Sequence, residues 1–306
     1  MHQWVVIAAV VVTAAACSSL GAAEPVLDEA TSTTTPATTA VPRPSAPAPT
    51  TTERQAVVTS GADALVDSDF ARLDGQRVGL IVNHTALASG EHLIDLIDAA
   101  PNVELVAIFA PEHDIRGTAG AGELFGDRVD PRTGVQIFSL YTDTRQPSPA
   151  MLADVDVLVY DLQDVGARFY TYISTMGLAM QSAARAGIPF VVLDRPNPGG
   201  GGSSAGFVLE PDQISFIGQF PIPASYGLTA GELATAIKGE AWLPGLDGLA
   251  LDVVAMQGWE RQMRWPATEQ PWVPPSPGLP TFESALAYPG TVLFEATPIS
   301  YGGGTD

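Results

Sequence analysis

Apolar positions fall along this chain in three regimes. Residues 4–16 are apolar or small throughout, with Thr13 the only polar side chain. That run is short for a spanning helix, which needs about 20 residues, and suits a signal-peptide core. In residues 31–52, Thr and Pro fill fourteen of the twenty-two positions. Such a stretch packs no core, and its prolines favour an extended spacer of about 3.1 Å per residue. From Ala56 onward, short β-branched runs alternate with stretches of helical spacing. Residues 77–83, 103–109, 135–140, 155–162 and 189–193 predict strands. Residues 92–98 and 170–186 predict helices, the second ended by Gly187. Continuous apolar strands alternating with helices predict an α/β fold, a Rossmann-like doubly wound, mainly parallel sheet covered on both faces. After about residue 210 Pro and aromatic residues rise, and only a helix at 229–239 and a strand at 249–254 stand out.

Composition narrows the function classes. The chain has 306 residues, and fourteen basic against thirty-four acidic side chains give a net charge of −20. A surface that acidic repels a nucleic-acid backbone, so no nucleic-acid partner is expected. One cysteine, Cys17, excludes a disulfide framework within the chain and any multi-Cys metal site. Cys17 follows the apolar run, in Ala14-Ala15-Ala16-Cys17-Ser18-Ser19. That order resembles the bacterial lipobox, in which the Cys becomes the lipidated first residue of the mature protein. Position −3 is Ala14, and the residues before the apolar run include no Lys or Arg. Ordinary secretion with cleavage near Ala23 is the alternative. A lipid anchor and a spacer together describe a folded domain held away from a membrane.

In open parallel sheets, ligands sit outside the carboxyl ends of the strands. The predicted strands end in Asn83-His84-Thr85, in Pro111-Glu112-His113-Asp114-Ile115-Arg116, in Ser139-Leu140-Tyr141, in Asp161 to Tyr170, and in Asp194-Arg195-Pro196-Asn197. Structural loops need turn formers and caps rather than this density of Glu, His, Arg and Tyr, so the edge predicts a site. Glu112 follows the apolar Phe109 and Ala110. Partial desolvation there raises a carboxyl pKa and suits a general acid; a Glu capping the next segment is the alternative. Arg116 and Arg168 are read either as holding a substrate carboxylate or as pairing with nearby Asp residues. Asp161 ends its strand and is read as structural. Glu112, His113 and Asp114 are adjacent, and adjacent side chains rarely converge on one ion, so no metal site is expected. Gly202-Ser203-Ser204-Ala205-Gly206 has the letters of a nucleophile elbow but does not directly follow a strand.

These loops together resemble the NamZ-type exo-β-N-acetylmuramidases, glycoside hydrolases of peptidoglycan turnover. The resemblance rests on Val78 to Asn83, Pro111-Glu112-His113 with Arg116-Gly117, Ser139-Leu140-Tyr141, and Asp161 to Gly166 with Arg168 to Tyr172. It continues in Asp194 to Pro198, Pro221-Ile222-Pro223, Pro274 to Pro277 and Tyr288-Pro289-Gly290-Thr291, spanning roughly residues 58–306. It implies a Rossmann-like domain followed by a smaller second domain, here truncated, with the site between them. The division is then a signal peptide over 1–23, a linker over 24–56 and the Rossmann-like catalytic domain over 57–210. Residues 211–306 hold the remainder of the catalytic region and the start of the second domain.

The implied activity is release of terminal N-acetylmuramic acid (MurNAc) from peptidoglycan fragments by an exported protein that needs no cofactor. Glu112 is the implied catalytic acid, with Asp164 or Glu295 as second carboxylate. Arg116 or Arg168 would hold the lactyl carboxylate, and Asn83, His113, Tyr141, Gln163, Tyr170, Arg195 and Asn197 would bind or position the sugar. The chain departs from the family pattern at Asp114 (usually Gly), at Ser225-Tyr226 (usually Arg-His) and at Gly303 (usually Arg). An inactive cell-wall-binding lipoprotein of the same fold is the first rival reading, and a nucleotide-dependent Rossmann enzyme the second.

Overall fold

In the computed structural model, residues 57–112, 115–117, 126–142 and 144–298 are described. The leader, Cys17, the Thr/Pro spacer, His113, Asp114 and Gly303 lie outside the described residues. Residues Glu53–Asp306 form one unit.

Six parallel strands build the sheet: β1 (Arg77–Val82), β2 (Glu104–Ala110), β3 (Gln136–Ser139), β4 (Val157–Asp161), β5 (Phe190–Leu193) and β6 (Leu251–Val254). Their spatial order is β3-β2-β1-β4-β5-β6, and a two-residue antiparallel strand, Arg128–Val129, extends the edge beyond β3. This is the doubly wound order, so the expected α/β fold is borne out. The strand order reverses between β1 and β4, which pair in parallel with Leu80 opposite Val159 and Val82 opposite Asp161. The ligand crevice of such a sheet therefore opens beyond Asn83 on one side and Gln163 and Asp164 on the other.

Strand alternation sorts the apolar side chains into two cores. Val78, Leu80, Val82, Val157 and Val159 face one side. There they meet Ala62 and Leu65 of helix α1 (Gly61–Asp67) and Leu93, Ile94 and Ile97 of α2 (Leu93–Asp98). Ile81 and Tyr160 face the other side, under Ile173, Met176 and Met180 of α3 (Tyr172–Ala186) and Leu233 and Ile237 of α4 (Ala230–Gly239). Both faces are covered, which is why the strands read as unbroken apolar runs. Gly187 ends α3 in the left-handed conformation, φ 71°, as its position predicts. The helix starts at Tyr172, two residues later than its pattern suggests. Helix α4 starts on a capping box of Thr229 and Glu232, and Asp194 from the end of β5 accepts from Thr229 Oγ1 and the Gly231 N–H, both at 2.8 Å.

The segment after residue 210 supplies β6 and also a helix that the pattern does not reveal, α5 (Phe282–Thr291). Pro289 lies inside it, and only Ala285 is buried, so neither propensity nor an apolar stripe announces it.

Helix α1 lies very close to the carboxyl edge of the sheet. The Gly61 N–H donates to the Asp194 carbonyl at 2.7 Å, and a Cβ on Gly61 would collide with the Val254 carbonyl oxygen and the Asp194 nitrogen. Both are backbone atoms that no rotamer change can move. Gly61→Ala is expected to destabilise the fold by roughly 1–3 kcal/mol, read as a lower urea midpoint at unchanged m-value. An unchanged midpoint would refute this close approach.

Candidate functional site

The polar residues at the carboxyl edge divide into those that hold the edge together and those that remain available. Asn83 is completely buried. Its Nδ2 donates to Tyr172 Oη at 2.6 Å, and its Oδ1 accepts from the Thr85 N–H and hydroxyl at 2.9 and 2.7 Å. Tyr172 passes the chain on, donating to the Pro275 carbonyl at 2.9 Å. Asn83 therefore positions Tyr172 and offers no free group to a sugar.

Asp164 is buried at the switch point. Its Oδ2 accepts from Tyr226 Oη at 2.5 Å and from the Gly166 N–H at 2.8 Å, while Oδ1 is buried without a partner. Desolvation outweighs these hydrogen bonds and pushes its carboxyl up to about 6.

Glu112 follows β2 and is half-buried. Burial first, then the charge and hydrogen bond of Glu112, push the phenol of Tyr141, at the end of β3, up to about 12. The charge of Glu112 also contributes to the raised values of Tyr170 and Tyr172, after burial. These two rings pack edge to face at 4.6 Å, and Tyr288 from α5 packs on Tyr170 at 5.9 Å. Tyr170 Oη is buried without a hydrogen-bond partner. Glu295, exposed on the turn Val292–Ala296, acts electrostatically on Tyr141 as well. The structure thus brings together Glu112, Tyr141, Tyr170, Tyr172 and Glu295, with Asp164 acting on Tyr172 from below. The mixture of two accessible carboxyls, phenols and aromatic rings suits acid catalysis on a hydroxylated ligand.

Other expected site residues are used structurally. Arg116 holds Asp95 with both terminal nitrogens at 2.8 Å and Asp130 at 3.0 Å, the pairing with nearby Asp residues that is one of its two readings. Arg195 pairs with the fully buried Asp161 at 2.5 and 2.8 Å and reaches the Leu87 carbonyl at 3.0 Å. Asn197 spends its amide on the Tyr226 and Leu228 carbonyls and its oxygen on the Gly199 N–H. Gln163 donates to the Asp164 and Pro196 carbonyls. Arg168 is buried and donates through one nitrogen to the Phe207 and Ile222 carbonyls, at 2.7 and 2.6 Å, with no carboxylate beside it among the described residues. Arg168, Arg195, Asn197 and Gln163 each reach a backbone carbonyl far away in sequence. Tyr172 and Tyr226 were missed as individual groups, although both stand in stretches compared with the family.

A cavity of about 360 Å³ lies beside α1, walled by Val57, Thr85, Gln163, Arg195, Trp265 and Pro271 among others. Glu112, Tyr141 and Tyr172 are not among its walls. Among the described residues no group of three or more His, Cys, Asp or Glu side chains is placed to hold a metal ion.

Comparison with known proteins adds three findings. The family model described as exo-β-N-acetylmuramidase NamZ, N-terminal, matches residues 78–283. The peptidoglycan β-N-acetylmuramidase NamZ of Bacillus subtilis (strain 168) is 46% identical over 258 residues, covering 83% of this chain and 61% of that protein. Crystal structures of two DUF1343 family proteins from Bacteroides fragilis NCTC 9343 have the same fold. One has a TM-score of 0.73 at 46% identity, over 78% of this chain and 60% of its own. The other has 0.68 at 36%, over 79% and 63%. The chain spans about three fifths of the length of each relative.

The buried Asp164 has a thermodynamic signature. Its folded value, about 6, exceeds the ordinary 3.8, so the folded state binds the extra proton between those limits. The stability it contributes is present below about pH 4 and is lost as pH rises through about 6. Asp164→Asn keeps an oxygen for Tyr226 and Gly166 and removes the ionisation. The variant is expected to gain on wild type between pH 4 and 7, reaching on the order of 2 kcal/mol at pH 7.5. Parallel stability–pH curves for the two proteins would show that Asp164 is not desolvated.

Proposed function

The chain belongs to the NamZ exo-β-N-acetylmuramidase family, and from that membership we propose that it is a glycoside hydrolase releasing terminal, non-reducing MurNAc from peptidoglycan fragments. The observation that carries the reading is the placement of Glu112. It is a half-buried carboxyl at a strand's carboxyl end whose charge acts on Tyr141, Tyr170 and Tyr172. In the proposed reaction Glu112 gives its proton to the glycosidic oxygen as the C1–oxygen bond breaks. Water adds to C1 and its proton passes to a second carboxylate. Glu295 suits that role better than Asp164: it is exposed and acts on the same Tyr141, whereas Asp164 is held inside by Tyr226 and Gly166. Tyr141 orients the Glu112 carboxyl, and the apolar ring faces keep bulk water from it.

Export belongs to the same proposal and rests on the sequence. The apolar run at 4–16 and Cys17 support a lipid-anchored protein facing the cell wall, with the Thr/Pro segment as spacer. One observation favours a second reading, a cell-wall-binding protein without turnover. Tyr226 occupies the place where the family pattern has His, and burial first, then Asp164, raise its phenol well above the ordinary value. It therefore cannot carry a positive charge beside Asp164 as a His can.

The test is hydrolysis of a chromogenic β-MurNAc glycoside. The protein is expected to release MurNAc, and Glu112→Gln to lower kcat by about 10²- to 10⁴-fold. An undiminished Glu112→Gln variant sinks the assignment; MurNAc binding without release by the unaltered protein selects the second reading.

A further inference from the structure

A chain of net charge −20 that takes an anionic sugar needs a cation not already claimed by its own carboxylates. Most arginines near the carboxyl edge fail that requirement. Arg116 and Arg132 share Asp95, with Asp130 also on Arg116, and Arg195 is matched to Asp161. Arg168 is buried and committed to two backbone carbonyls.

Arg145 differs from all of these. It lies four residues beyond Tyr141 on the loop after β3, is exposed, and pairs with no carboxylate among the described residues. Its guanidinium carbon stands 4.0 Å from the centroid of the Phe216 ring. Its charge and that of Glu112 act on Tyr141 in opposite directions.

We propose that Arg145, stacked on Phe216, binds the lactyl carboxylate of the substrate and so selects MurNAc over N-acetylglucosamine. This rests on the proposed activity and names the residue that sets its specificity. Stacking occupies one face of the planar guanidinium and leaves its N–H edge donors free, the arrangement a bidentate carboxylate requires. The ring also restricts a side chain that otherwise loses much rotamer entropy on binding. The lactyl ether is carried on C3 and the scissile bond on C1, so the two recognition points are separated by one pyranose ring. The cation and the acid lie on different loops, after β3 and after β2, and both act on Tyr141.

The platform itself is built. Phe216 and Ile217 form the tip of a turn closed by reciprocal hydrogen bonds between Ser215 and Gly218, at 2.9 and 3.2 Å. Arg168 ties both flanks of this segment through the Phe207 and Ile222 carbonyls, and its own N–H donates to Ala224.

The experiment measures affinity for MurNAc and for its lactyl methyl ester by calorimetry, alongside kinetics on chromogenic MurNAc and N-acetylglucosamine glycosides. Wild type is expected to prefer MurNAc over the ester, and Arg145→Ala to lose that preference. The KM of the variant for the MurNAc glycoside is expected to rise roughly 10- to 100-fold with kcat little changed, while any N-acetylglucosamine turnover is unaffected. Arg145→Lys should restore only part, because Lys offers no planar fork, and Phe216→Leu should fall between. An Arg145→Ala variant that keeps the preference overturns the inference, as does wild type that shows none. Wild type that binds MurNAc in an Arg145-dependent way yet hydrolyses no glycoside leaves the inference standing and removes the proposed activity instead.

Discussion

A carboxylate with no solvent exposure at the end of a strand has to be neutralised where it stands, and Arg195 does this for Asp161. Breaking such a pair by removing one partner leaves a buried charge and costs roughly 3–5 kcal/mol. The pair joins the ends of the adjacent strands β4 and β5, and Arg195 also reaches the Leu87 carbonyl beyond β1. Three strand ends are thereby fixed around the switch point. Gln163 then bridges to Pro196, Asn197 braces the 226–228 backbone, and Asp194 seats the start of α4. The catalytic candidates on the β2 and β3 loops rest on an edge made rigid in this way.

This arrangement explains why the edge is crowded with polar side chains of two kinds. The backbone of five loops is buried there, and buried carbonyls and N–H groups need partners. Asn83, Gln163, Asn197 and Arg168 meet that need. Glu112, Tyr141, Glu295 and Arg145 face outward from the resulting frame, half-buried or exposed.

The fold was legible because the central strands β1, β4 and β5 are buried on both faces, and apolar runs and strands coincide to within one or two residues. Helix α5 was not, since Pro289 interrupts its pattern, and the strand Arg128–Val129 is too short to leave one. The location of the site was legible from the residue types that follow the strands. Their roles were not, because a role depends on the partner. Arg116 meets Asp95 and Asp130, and Asn197 meets carbonyls at 226 and 228, neither of which local spacing reveals. Arg145 went unnoticed for the converse reason: what distinguishes it is the lack of an acidic partner among the described residues and a ring supplied from Phe216.

The account places an anionic sugar across the β2 and β3 loops, with its reducing-side bond at Glu112 and its lactyl group at Arg145. A crystal structure of the Glu112→Gln variant with a MurNAc-terminated disaccharide bound addresses that placement most directly. The predicted result is a glycosidic oxygen within hydrogen-bond distance of residue 112 and the lactyl carboxylate on the Arg145 guanidinium. A disaccharide seated instead in the cavity between Thr85, Arg195 and Trp265, away from residue 112, would contradict it.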